Sequence, residues 1–177
     1  MEKILLKNGQ EVIVREPKKE EAQKMIDFYN VVGGETEFLS FGKNEFSMSL
    51  KEYESFIEST KAEDNSEILI AKVDNEIISI GTITSTQKAK GKHVGTLGIV
   101  ISEKYCNMGL GTKIIKKLIS LAKENGITKK INLDTNETNH RGIHLYKKLG
   151  FKEEGRLKNE NYMNGVYSDI IVMGLMI

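Results

Sequence analysis

From Leu97 to Ala122 the sequence reads as one unit. An apolar run, Leu97 to Ile101, is followed by the turn Cys106-Asn107-Met108-Gly109-Leu110-Gly111-Thr112, and then Ile114, Ile115, Leu118, Ile119 and Ala122 fall on one helical face. A buried strand feeding an amphipathic helix confines the chain to folds in which helices lie on a sheet. The start of such a helix has about four backbone N–H groups without internal partners and a partial positive charge. Glycines there let an anion approach the backbone, and Lys113, Lys116 and Lys117 add charge nearby. The local pattern fits a phosphate cradle and a plain strand-to-helix turn equally. It is not a dinucleotide fingerprint, whose third glycine would fall at Ile114, nor a P-loop, because Gly111 is followed by Thr112-Lys113.

The flanking segments complete an α/β pattern. Gln10 to Arg15 alternates as a first strand; Pro17 then precedes a helix carrying Ala22, Met25, Ile26 and Tyr29. Val32 to Phe46 reads as a loop or broken helix, and Ser49 can cap a second helix with Tyr53, Phe56 and Ile57. Ile68 to Val73 and Glu76 to Ser85 form a hairpin across Asp74-Asn75, and Lys92 to Ile101 makes a third strand. After the central helix, stopped at Gly126, come a strand at Lys130 to Leu133 and a helix capped by Thr138 or Asn139 and ended by Gly150. Phe151 to Leu157 and Val166 to Ile177 close as strands. The expected architecture is a mixed, mostly antiparallel sheet of about six to seven strands flanked by about four helices.

The 177 residues suit one domain, 1–177, since domains commonly run to roughly 100–200 residues. Twenty-six Lys and Arg against 25 Asp and Glu give a formal charge of +1, and with it no electrostatic reason to expect nucleic acid or an anionic membrane as partner. Cys106 is the only cysteine, which excludes an internal disulfide and a cysteine-based zinc site. Met1 to Lys7 is too short an apolar stretch for a signal peptide, and Ile170 to Ile177 is far below the roughly 20 residues that span a bilayer. A cytoplasmic protein is expected. His140 and His144 stand at i, i+4, but no acidic or cysteine partner stands at motif spacing, so no metal is expected.

About thirty residues after the glycine turn comes Asn139-His140-Arg141-Gly142-Ile143-His144-Leu145-Tyr146-Lys147-Lys148-Leu149-Gly150-Phe151. Together the two blocks resemble the GNAT superfamily of acetyltransferases. Its first block reads Arg/Gln-x-x-Gly-x-Gly/Ala and aligns with Cys106 to Gly111. The resemblance runs well from Ile68 to Ile177 and in outline before that. It implies that acetyl-CoA is the co-substrate. The backbone of Ile99, Val100 and Ile101 would bond the pantetheine arm, and the amides from Asn107 through Met108, Gly109, Leu110 and Gly111 to Thr112 would hold the pyrophosphate. Asn139 would touch the cofactor arm, and Tyr146 would also lie against the cofactor and reprotonate the departing thiolate. Cys106 departs from the pattern, since neither an arginine nor a glutamine stands there.

Taken without the resemblance, Tyr146 fits a core aromatic equally well. An amine nucleophile must lose a proton, and the resemblance points to Glu35 and Glu37, in the loop between the first two helices, and to Thr96 on the central strand as the acceptor side; each also fits an ordinary surface residue. The resemblance implies direct transfer of acetyl to a primary amine of an amino acid or other small amino compound, by a monomer or homodimer. The rival readings are acetylation of a protein N-terminus and a non-catalytic acyl-CoA-binding module.

Overall fold

The computed structural model describes residues 1–177. Its strands are β1 (Glu2–Leu5), β2 (Glu11–Arg15), β3 (Glu67–Val73), β4 (Glu76–Ser85), β5 (Val94–Ile101), β6 (Lys130–Asn136), β7 (Lys152–Met163) and β8 (Val166–Met176). Its helices are α1 (Ala22–Val32), α2 (Leu50–Ala62), α3 (Leu110–Glu124) and α4 (His140–Lys148). The mixed sheet and four helices match the expectation, but the strands number eight rather than six to seven. The additional strand is β1, which folds back on β2 with Ile4 opposite Val12.

The strands lie in the order β1-β2-β3-β4-β5-β6-β8-β7, antiparallel throughout except between β5 and β6. α1 and α2 cover one face of the N-terminal half, where Met25, Ile57, Ile70 and Ile80 form a buried cluster. α3 and α4 lie against the larger cluster on the opposite face. α3 shows why its sequence is helical. Ile114, Ile115, Leu118 and Ala122 recur at the helical period and are all buried, each large side chain contributing roughly 1.5–3 kcal/mol.

Local signals act as the sequence suggested. Ser49 caps α2 in a reciprocal box with Glu52, and Asp74 and Asn75 both take positive φ (47° and 70°), as the tight hairpin turn between β3 and β4 requires. The entrance to α1 is tied to the sheet by a part-buried charge cluster. Arg15 donates two hydrogen bonds of 2.7 Å to Glu21, and Lys72 donates a third of 3.0 Å. The Arg15 guanidinium, aided by the Lys18 amide and Lys72 against the opposing effect of burial, holds the Glu21 carboxyl down at about 2.

The loop between α1 and α2 is packed by aromatic rings. Phe46 stacks on Tyr29 with ring centres 4.5 Å apart, and Phe41 meets both edge-on. This lays the loop beside the end of β5, where the candidate site begins.

Candidate active site

β5 and β6 part company within the sheet. They pair in parallel only from Val94 opposite Lys130 to Thr96 opposite Asn132. Beyond that rung β5 stays with β4 up to Ile101, while β6 stays with β8 up to Asn136. The strands therefore splay into a cleft whose walls are backbone.

Strand parity decides which groups face it. Ser102 donates its N–H to Ile78 (3.0 Å), so Val100 and Gly98, at alternate positions, exchange their bonds with β4. Ile99 and Ile101 turn their N–H and C=O groups the other way, toward the cleft, where no strand meets them. Of the three residues expected to line the cofactor arm, Ile99 and Ile101 thus offer free backbone groups, whereas Val100 is engaged in the ladder.

At the end of β5 a short 3-10 turn, Glu103–Tyr105, leads into the glycine segment. Asn107 and Gly109 both adopt left-handed conformations (φ 63° and 85°), and Gly109 is the N-cap of α3 with no side chain capping it. The N–H groups of Asn107, Gly109, Leu110, Gly111 and Thr112 meet no acceptor within the protein, while that of Met108 closes the turn through Cys106 and Asn107. The left-handed turns at Asn107 and Gly109 bring these amides to the start of α3, where the helix dipole adds to their positive end. The arrangement fits the diphosphate of a nucleotide-bearing cofactor, and the cleft beside it fits an amide-bearing arm.

α4 closes the other side. Asn139 caps this helix, accepting from Gly142 N at 3.0 Å, while its amide nitrogen donates to Thr135 Oγ1 at 3.0 Å. Its side chain is therefore occupied in fixing α4 to the end of β6. Tyr146 is buried, edge-on to Phe151 with ring centres 6.0 Å apart, and no protein group takes up its hydroxyl. Burial pushes its pKa up, so the phenol stays protonated at neutral pH.

The acceptor-side candidates are not gathered together. Glu35 accepts from Glu103 N (2.8 Å) and Ser102 Oγ (3.4 Å), so its carboxylate pins the α1–α2 loop to the end of β5. Glu37 is exposed in the same loop without a partner. Thr96 is exposed on the last β5–β6 rung, on the face opposite the α3 cluster. His140 and His144 are exposed on α4.

The model of the Acetyltransferase (GNAT) family matches residues 35–151, more than half of the chain. A GNAT-family acetyltransferase of known structure from Streptococcus pneumoniae is 32% identical, with 94% of this chain and 99% of that one covered and a TM-score of 0.90. The chain belongs to the GNAT acetyltransferase family. Among curated relatives, an L-amino acid N-acetyltransferase of Escherichia coli K12 is 29% identical over 59% of this chain and 65% of its own length. A spermidine N(1)-acetyltransferase of the same strain is 39% identical over 42% of this chain and 40% of its own. The chain thus spans less than two thirds of either curated relative.

Set against the family pattern, the structure brings three further residues to the site. Lys7, in the β1–β2 turn, runs alongside Gly109 and donates its N–H to Met108 O at 3.1 Å. Arg141 places Nη2 3.4 Å from Cys106 Sγ. Asp134 is exposed on β6, on the same face as Thr96 and just past the last rung, with no ion pair. Only the parity of β6, with Ile131 and Leu133 on the core side, could have pointed to Asp134 from sequence; nothing in local spacing marks the other two. The lysines of α3 face elsewhere: Lys117 pairs with Glu2 at 3.3 Å, and Lys113 and Lys116 line a hollow with Glu2 and Ile4.

Proposed function

We propose that this protein is an N-acetyltransferase that moves the acetyl group of acetyl-CoA onto the primary amine of an amino acid or other small amino compound by direct attack. The observation that carries the reading is the splay of β5 from β6, which leaves the Ile99 and Ile101 backbone unpaired directly upstream of five free amides at the start of α3.

Acetyl-CoA supplies an activated thioester to a free amine. The chain's own residues supply position and protons. The amides of Asn107 to Thr112 would hold the diphosphate, and the Ile99 and Ile101 backbone would align the arm. One of those unpaired N–H groups is available to polarise the thioester carbonyl. Tyr146 keeps a proton on Oη that can pass to the departing sulfur. Asn139 contributes by capping α4, the helix that carries Tyr146.

The acceptor enters on the face that carries Thr96 and Asp134. Asp134 is the free carboxylate placed there, and it would take the proton of the incoming ammonium directly or through water. Glu35 serves instead as a tether. The names of the curated relatives support a small amine, one with a carboxylate and one without. CoA should raise the melting temperature of the full chain, because a ligand that binds only the folded state stabilises it by about 2.7 kcal/mol at a hundredfold excess over its Kd. No shift at millimolar CoA would overturn the reading.

A further inference from the structure

The cradle at the start of α3 lacks a charged side chain of its own. From Cys106 to Thr112 there is none, and Cys106 stands where the family pattern has an arginine or glutamine. Of the nearby cations, Lys104 lies over the Tyr105 ring at 5.4 Å, Lys113, Lys116 and Lys117 face β1 and β2, and Lys7 runs alongside Gly109 at the helix end of the turn, away from Cys106. Arg141 is placed differently. It sits in the first turn of α4, is exposed, forms no ion pair, and donates Nη2 to Cys106 Sγ at 3.4 Å. A thiol sulfur is a weak acceptor, so most of the guanidinium's five N–H donors remain available beside the free amides.

We propose that Arg141 binds the diphosphate of CoA, supplying from α4 the cationic side chain that Cys106 does not. This rests on acetyl-CoA being the donor. A planar guanidinium grips phosphate oxygens through two parallel hydrogen bonds, and Cys106, being small, leaves the space in which it does so. Sequence and geometry converge here: the cation missing from one element is met by a cation of another, aimed at the vacated position.

The test is calorimetric titration of the full-length protein and its Arg141→Ala variant with CoA, dephospho-CoA and pantetheine. The variant should bind CoA and dephospho-CoA about 10- to 100-fold more weakly, as expected for loss of charge-assisted hydrogen bonds, and pantetheine equally. Its ligand-free melting temperature should equal the wild type's, because Arg141 is exposed. Lys123→Ala, at the far end of α3, should bind all three ligands normally. Unchanged CoA affinity in Arg141→Ala would overturn the proposal, as would an equal loss in Lys123→Ala. A loss confined to CoA and absent with dephospho-CoA would also overturn it, by placing the guanidinium on the ribose phosphate. If the wild type binds none of the three, the donor reading falls and the proposal falls with it.

Discussion

Gly111 lies so close beneath Ile101 that a Cβ added to it would stand 3.1 Å from Ile101 Cδ1 and 3.4 Å from Leu145 Cδ2. The last residue of β5, the first turn of α3 and the middle of α4 therefore meet at one backbone position. That contact sets the amides at the start of α3 against the open edge of β5, so the two halves of the proposed donor site are built as one.

Gly111→Val should push α3 away from Ile101, and Gly109→Val should strain a residue held at φ 85°. A non-glycine residue in the left-handed region costs roughly 1–2 kcal/mol, more for a β-branched one. Both variants should remain folded, with melting temperatures lowered by several degrees, and both should lose most of the protection given by CoA. Full protection in both would show that the turn is not the cradle.

Tyr146→Phe should lower kcat about 100-fold while leaving CoA affinity and melting temperature near wild type, because the ring and its contact with Phe151 are kept. Burial raises the phenol above its ordinary value of 10, so the acid form persists through neutrality. The wild-type rate should climb as the amine loses its proton and turn down only above pH 10. The Phe variant should lack that downturn. Steady-state kinetics from pH 6 to 11 separate the outcomes, and wild-type turnover in the variant would remove Tyr146 from the chemistry.

Asp134→Asn tests the acceptor side. It should reduce kcat toward the lower end of the roughly 10²–10⁴-fold range of general-base effects and leave CoA binding intact. Glu35→Gln should act in another way, by loosening the tether to Glu103 N. Its signature is a lower melting temperature accompanying any loss of rate. An Asp134→Asn enzyme with the wild-type pH profile would assign proton removal to solvent.

Glu21 ties acid stability to the Arg15 and Lys72 cluster. Its folded pKa, about 2, is depressed from the ordinary 4.5, so its contribution is present above pH 4.5 and lost as pH falls through 2. Glu21→Gln should cost about 2–3 kcal/mol near neutrality, and the difference should shrink on acidification. Urea unfolding at pH 7 and pH 3 measures both; a constant difference would contradict the assignment.

The elements with their own local chemistry were legible in the sequence. Asp74-Asn75, the Ser49 and Glu52 box, the α3 stripe and the Asn139 cap each need only residues a few positions apart. β1 carries no strand signal in the sequence because Glu2–Leu5 is mostly exposed and shows no apolar alternation, although Asn8-Gly9 marks the turn that follows it. β7 ran longer than expected for a similar reason. Its polar stretch bulges at Lys158–Glu160 around Asp169, whose carboxylate accepts from Lys158 Nζ (2.7 Å) and Asn159 N (3.0 Å). Of the candidate site, the glycine turn and Tyr146 could be read from motifs. The splay of β5, the engagement of Val100 with β4, and the arrival of Lys7 and Arg141 are tertiary facts without a signature in local spacing.

Acetyl transfer to an amine is read out by thiol release from acetyl-CoA across a panel of amines. The panel should pair free amino acids with their amides and include di- and polyamines. Amine-dependent thiol release should rise with pH through neutrality, with the acetylated amine recovered in equal amount. CoA binding without thiol release above background hydrolysis for any amine would contradict it and leave an acyl-CoA-binding protein in its place.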